Sequence, residues 1–194
     1  MSQGGGGADG PGRPRGPASL VVLPVRAEDA PWVRALLRTA WGAEVVAVHG
    51  ELFRPAELPG LIAVSVAKPD GPPLGLLTYR LHPGAGPGPD CEIVTLNADP
   101  PGRATGTALV TEVRAVAEAA GCRRIWLVTT NDNLGALAFY QKRDFRLVAV
   151  HPGAVDRARR LKPEIPAAGE HGIPLRDEIE LELTLPGTEE RPGR

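Results

Sequence analysis

The most restrictive feature of this sequence is the run from Cys91 to Thr130, where a β-rich segment, a proline break, a small-residue loop, an amphipathic helix and a second β-rich segment follow in order. "CEIVTLNAD" reads as a strand. Pro100 and Pro101 end it, because neither has an amide hydrogen to give to a sheet. The helix predicted over 107–120 carries Leu109, Val110, Val113, Val116, Ala117 and Ala120 on one side and Thr111, Glu112, Arg114 and Glu118 on the other. Gly121 stands just past its end, a favourable stop. "RIWLVTT" then has the continuous apolar character of a strand covered on both faces. Two strands joined through a helix make a parallel crossover of right-handed sense, which any fold for this chain must contain.

Around that unit, "SLVVLPVR" predicts a first strand. A helix follows, with Asp29 as cap, Pro31 in its first turn, Val33, Leu36, Leu37 and Ala40 as its apolar stripe, and Gly42 as its stop. Residues 43–60 stay open between a short hairpin in "EVVAVHGELF" and irregular chain in "RPAELPG". "LIAVSVA" and "LGLLTYRLH" flank the turn "KPDGPP" and predict an antiparallel hairpin. Beyond the crossover, "NLGALAFYQKR" predicts a short helix, and "FRLVAVH" and "DEIELELTL" two strands. The long connection between them, 152–177, holds a helical turn or two around "AVDRARRL"; connections of that length are functional or disordered. The fold class is α+β: an antiparallel first half, a parallel crossover in the middle, and about six to seven strands in a mixed sheet with helices on both faces.

A chain of 194 residues with 42% hydrophobic residues is enough for one domain with a substantial core, taken as 19–186. Residues 1–18, "MSQGGGGADGPGRPRGPA", bury too little apolar surface to offset chain entropy and are expected to be a disordered tail; 187–194 are expected to be a flexible one. No apolar run has the length of a secretory core or a membrane span, so the expectation is a cytoplasmic protein with no membrane partner. Cys91 and Cys122 stand in no ligand pair and beside no histidine, so neither a disulfide nor a metal site is expected. A net charge of -1, without aromatics interleaved among arginines, argues against a nucleic-acid partner. The densest basic run, "DRARRLK", reads as an exposed helix face.

The loop after the strand carries the chemistry. "RATGTA" sets backbone amides with little side-chain bulk at the positive end of a helix, the ingredients of an anion site, and Arg103 adds a charged partner. An ordinary strand-to-helix connection capped by a threonine has the same look, and from the loop alone both readings stand. The lysine-bearing triphosphate loop and the GxGxxG dinucleotide fingerprint are both absent between 102 and 107.

With Arg103, Ala104, Thr105, Gly106, Thr107 and Ala108 in the pattern [QR]-x-x-G-x-[GA] between a strand and a helix, the chain resembles the GNAT superfamily of acyl-CoA-dependent N-acyltransferases. "LNADPPGRATGTA" follows that family's run, with Ala98 where Val is usual. A later element matches independently: Asn133, Ala136, Phe139, Tyr140, Asp144 and Phe145, with Asp144 where glycine is usual. If that turn needs a positive φ, Asp is among the less costly replacements. The resemblance spans about residues 20 to 185 and implies a partly splayed sheet and acetyl-CoA as cosubstrate. It also implies pyrophosphate contacts from 103–108, a pantetheine arm along the backbone of Leu96, Asn97 and Ala98, and cofactor contacts from Asn133, Ala136 and Tyr140. A homodimer stays open.

Acyl transfer to an amine needs a neutral nucleophile, a polarised thioester carbonyl and a proton for the departing thiolate. Holding a lysine-like amine, with an ordinary pKa of ~10.4, neutral at pH 7 costs about 4 to 5 kcal/mol. The resemblance makes Tyr140 the candidate acid; the alternative is an aromatic core residue, since Ala136, Phe139, Tyr140 and Arg143 share helical spacing. Glu92 is the candidate base, directly or through water, against the alternative of a structural strand residue. Asp99 is assigned to the turn, and His49, His82 and His151 receive no role. The backbone N–H at position 98 is the expected donor to the thioester oxygen. The acceptor is a primary amine, bordered by 41–60 and by 152–177, a segment expected to fold over it as a lid. In that segment Asp156, Glu164 and Glu170 are set against five basic residues, which leaves the sign of the acceptor pocket open.

Overall fold

A computed structural model describes residues 20–84, 88–98 and 104–186. The two tails, and positions 99–103 with Asp99, both prolines and Arg103, lie outside the described residues. The elements in order are β1 (Leu20–Pro24), α1 (Ala30–Trp41), β2 (Val46–Val48), β3 (Glu51–Phe53), β4 (Gly60–Ser65), β5 (Gly75–Pro83) and β6 (Pro89–Ala98). They continue with α2 (Thr105–Ala119), β7 (Arg124–Thr130), α3 (Leu134–Gln141), β8 (Arg146–His151), α4 (Ala154–Leu161) and β9 (Glu178–Thr184). Seven strands form one sheet in the order β1-β4-β5-β6-β7-β9-β8, and β2 with β3 forms a separate hairpin. All pairings are antiparallel except β6 with β7, the crossover made by α2.

Periodicity decides what each face buries. The odd positions of β7 and β9, Ile125, Leu127, Leu181 and Leu183, join Cys91 and Ile93 of β6 under Leu109, Val110, Val113 and Ala117 of α2, with Tyr140 and Phe145 completing the cluster. Each fully buried Leu or Val of this group contributes about 1.5–3 kcal/mol. On the opposite face Val33 and Leu37 of α1 pack on Ile62, Val64 and Leu76. Farther along that face the even positions set carboxylates beside β7: Glu92 is paired with Trp126, and Trp126, Val128 and Thr130 with Glu182, Glu180 and Glu178.

The region left open at 43–60 does form a hairpin. Its turn is His49–Gly50, both at positive φ (53° and 75°), the turn geometry that matches strand twist and that glycine adopts without cost. α4 packs against this hairpin. α2 begins two residues before the expected start, and Ala104 at its N-cap position gives no side-chain cap, so the threonine-capped connection is not what is found. Ala104 instead accepts the first helical bond, from the amide of Ala108, at 2.8 Å.

The sheet is splayed at its centre. β6 and β7 pair only at Cys91–Ile125 and Glu92–Trp126. Against β5, Tyr79 pairs with Ile93 and Thr78 with Thr95, which leaves Val94 as an extra residue. Such a bulge bends its strand and sharpens the twist. The gap therefore opens at Ile93, well ahead of Pro100 and Pro101, where the strand was expected to end.

Candidate functional site

The gap between β6 and β7 is a cleft of about 600 Å³. Ile93 to Leu96 and Ala98 form one wall, Leu127 to Thr129 the other; Gly106, Asn133, Ala136, Phe139, Tyr140 and Arg143 close the α2 and α3 side, and Trp41 stands on the α1 side. Two strands that part in this way leave backbone N–H and C=O groups facing each other across open space, and these are strong donors and acceptors for a ligand.

Of the residues expected to hold a cofactor, Leu96, Ala98, Gly106, Asn133, Ala136 and Tyr140 line this cleft together. Asn97 does not: its Oδ1 accepts the indole N–H of Trp41 at 3.1 Å and ties the end of α1 to the end of β6. Thr105, Gly106 and Thr107 occupy the first turn of α2, whose amides have no helical acceptor. The amide of Ala108 is taken by Ala104, so at this position the small side chain is what remains available. Gly106 has a second reason to be glycine, because a Cβ there would sit 3.1 Å from the ring of Phe139. Asn133 caps α3, its Oδ1 accepting from the amide of Ala136 at 2.9 Å. Arg103 lies outside the described residues.

Tyr140 is 5% exposed, edge-on to Phe139 and Phe145 at 5.0 and 5.2 Å. Burial pushes its phenol well above the ordinary value, opposed by the nearby Arg143 charge. It is thus a neutral phenol on the wall of a cleft. Arg143 was missed as a site residue. It stacks on Phe139 at 3.6 Å, donates to the Phe139 carbonyl at 2.6 Å and to the Thr107 hydroxyl, and keeps a buried Nε with no hydrogen-bond partner among the described residues. A guanidinium is thereby fixed at the positive end of α2. Burial lowers its pKa.

Glu92 lies on the α1 face beside the closed end of the cleft and does not line it. It is 1% exposed, with Oε2 accepting from Arg80 Nε at 2.5 Å and Oε1 bonded to His49 Nε2 at 3.1 Å. Burial alone would raise this carboxyl, but the bonds from His49 and Arg80 win and hold it below the usual carboxylate range. Glu178, 4% exposed, is pushed the other way: burial raises it and only the weaker attraction of His49, His151 and Arg157 opposes the rise. Both cysteines are free and buried, and burial pushes the Cys91 thiol up to about 12, which leaves it unreactive. No cluster of metal-ligating side chains occurs among the described residues, and no described helix is long and apolar enough to cross a membrane.

The connection 152–177 is built rather than loose, and none of its residues lines the cleft. Arg159 donates to the carbonyls of Ile165, Pro166 and Leu175, and Lys162 to those of Trp41 and Val45 at 3.3 and 3.0 Å. Asn131 accepts from the amides of Arg176 and Asp177, and Asp132 from that of Glu170 at 2.7 Å. The triplet 131–133 therefore anchors this connection and starts α3, which walls the cleft.

Comparison with known proteins agrees with this geometry. Residues 30–145 match the model of the acetyltransferase (GNAT) family. The chain is 46% identical over 139 residues to protein YdhI of Bacillus subtilis, covering 72% of this chain and 82% of that one. It is 36% identical over 149 residues to YxbD of the same organism, covering 77% and 89%. Among solved structures, the IAA acetyltransferase of Bacillus cereus superposes with a TM-score of 0.64 at 22% identity over 86% of this chain and all of that one. NAA60 of Arabidopsis thaliana, in complex with acetyl-CoA, superposes with a TM-score of 0.63 at 17% identity over 87% of this chain and all of that one. A strand pair that parts beside the uncapped start of a helix, the sequence patterns on both sides of it, and these matches together place the chain in the GNAT acetyltransferase family.

Proposed function

We propose that this protein transfers the acetyl group of acetyl-CoA to a primary amine of a small molecule, peptide or protein, the amine attacking the thioester directly. The observation that carries this reading is the parting of β6 from β7 beyond Glu92 and Trp126, next to the first turn of α2, which has no side-chain cap at Ala104. Acetyl-CoA, the ligand of the NAA60 structure that shares this fold, supplies an activated acyl group. In this reading the backbone of Leu96, Asn97 and Ala98 lies along the pantetheine arm, and Ala98 donates to the thioester oxygen. Arg103, Ala104 and the amides of Thr105, Gly106 and Thr107 hold the pyrophosphate, with Ala108 leaving room for it. Asn133 and Ala136 form the wall beside them.

Tyr140 serves as the acid: its raised pKa keeps the proton on the phenol until a thiolate needs it. Glu92, with both oxygens engaged and no place on the cleft wall, acts as a base only through a bridging group. That same engagement favours a second reading, a catalytically silent acyl-CoA-binding domain. Free-thiol release from acetyl-CoA across a panel of amines, peptides and amino-sugars separates the two. The first reading predicts release with at least one amine, a loss of about 10²–10⁴-fold in Tyr140→Phe, and unchanged affinity for CoA. Unaltered turnover in Tyr140→Phe would remove Tyr140 from the chemistry, and saturable CoA binding with no release for any amine would establish the silent domain.

A further inference from the structure

His49 sits where no motif would place a functional residue, at the tip of the β2–β3 hairpin, in a left-handed conformation (φ 53°) that most side chains avoid. The fold spends this strained position on an imidazole beside the closed end of the cleft, outside its lining like Glu92 but more exposed. Its ring packs at a tilt against Trp126, centroids 4.9 Å apart, and its Nε2 meets Glu92 at 3.1 Å, and these two residues are the last pair before β6 and β7 part. Ile93, Val94, Leu127 and Val128, immediately beyond, already line the gap. The other nitrogen, Nδ1, faces Glu178 Oε2 at 3.8 Å.

The imidazole thus lies between two buried carboxylates of unequal character. Glu92 is neutralised by Arg80, whereas Glu178 has no Arg or Lys within ion-pair distance among the described residues. The side chains of both carboxylates are at most 5% exposed while that of His49 is 22% exposed, so of the three only the imidazole offers solvent or an arriving molecule an appreciable surface. Resting on the acetyltransferase reading, we propose that His49 is the catalytic base: the Arg80-paired carboxylate of Glu92 can only accept, so Nε2 carries the ring proton, and an amine entering from the α1 face gives its proton to Nδ1, with Glu92 and Glu178 stabilising the imidazolium.

The protons balance. An ammonium acceptor loses two as the N–C bond forms and the C–S bond breaks. One passes through His49 to solvent along its exposed edge, and the other ends on the departing thiolate, supplied by Tyr140 and returned to it. Glu92 then acts through the imidazole, which explains why it is buried away from the cleft. The titratable and charged groups packed around His49 are Glu92 on β6, itself paired with Arg80 on β5, and Glu178 on β9, which His151 on β8 and Arg157 on α4 attract in turn; His82 on β5 bonds the indole of Trp126.

The test uses the best acceptor of the amine panel, with His49→Asn and His49→Gly, two residues that tolerate the left-handed turn. Acetyl-CoA affinity is measured on each variant by calorimetry. The expected result is a fall of about 10²-fold or more in kcat/KM at neutral pH, with acetyl-CoA affinity unchanged. The rise of kcat/KM with pH should move up toward the pKa of the free acceptor amine, and added imidazole should restore turnover in His49→Gly. Turnover within about threefold of the wild type, or a fall without any change in the pH profile or any rescue, overturns the proposal. Loss of acetyl-CoA affinity along with turnover in both variants would make His49 a structural residue, which also overturns it. Absence of turnover in the wild type itself refutes the acetyltransferase reading beneath it, a failure distinct from one confined to the variants.

Discussion

Asp144 turns the chain from α3 into β8 at φ 67°, a left-handed conformation that glycine adopts freely and that costs most side chains about 1–2 kcal/mol. Urea unfolding should find Asp144→Gly within about 0.5 kcal/mol of the parent and Asp144→Val destabilised by about 1–2 kcal/mol. This demand was legible, because Asp144 stands where the resembling family has glycine. The burial of Tyr140 was half legible: helical spacing offered core and catalysis as alternatives, and the residue is both buried and on the cleft wall. Tyr79 and Tyr140 are the only tyrosines, and burial raises both. Their contribution to stability is full below the ordinary tyrosine pKa of ~10 and is lost as pH rises through the higher folded values. Tyr140 should therefore show no phenolate absorbance until the protein unfolds, whereas half-buried Tyr79 ionises above the ordinary value in the native state; ionisation of both near pH ~10 in the native state would contradict the buried placement of Tyr140. Glu92 works in the opposite sense. Its depressed carboxyl contributes stability above the ordinary Glu pKa of ~4.3 that is lost as pH falls through the folded value. His49 and Arg143 were not legible, since their partners Glu92, Glu178 and Thr107 are distant in sequence. The available hint for His49 was the dipeptide His-Gly between two short apolar runs, a turn signal rather than a chemical one.

At the scale of elements, the crossover 91–130 could be read directly because its strand and helix periods are strong and contiguous. The cause of the gap could not. A bulge at Val94 depends on how β5 pairs with β6, and nothing in "CEIVTLNAD" marks which residue has no partner. The connection 152–177 was the other weak reading, because its order comes from carbonyls and amides gathered by Arg159, Asn131, Asp132 and Lys162, none of which forms a periodic pattern. Gly169 is where this connection can be tested. A Cβ there would meet Asp132 Oδ2 at 1.9 Å, and that carboxylate is already held by Thr130 and the Glu170 amide. Gly169→Ala should cost about 1–3 kcal/mol and speed hydrogen exchange at the Glu170 amide. Unchanged exchange there would mean that the anchoring does not hold the segment.

For the whole molecule, the two faces of the sheet divide the labour. Under α2 and α3 the face is apolar and supplies the core; over β6, β7 and β9 the opposite face carries Asp90, Glu92, Arg124, Trp126, Glu178, Glu180 and Glu182 in a linked polar network. Alternation in "DEIELELTL" announced one polar face, but not that β9 lies between β7 and β8, since a strand's sequence does not name its neighbours. The cleft joins the two faces where β6 and β7 part, and in the proposed reading a thioester held from the α2 side meets there an amine arriving from the other. Everything proposed for this protein depends on that opening being an acyl-CoA site. Calorimetric titration of acetyl-CoA into the folded protein tests it most directly: the account predicts one saturable site for which CoA competes, and an absence of binding by either ligand would contradict it.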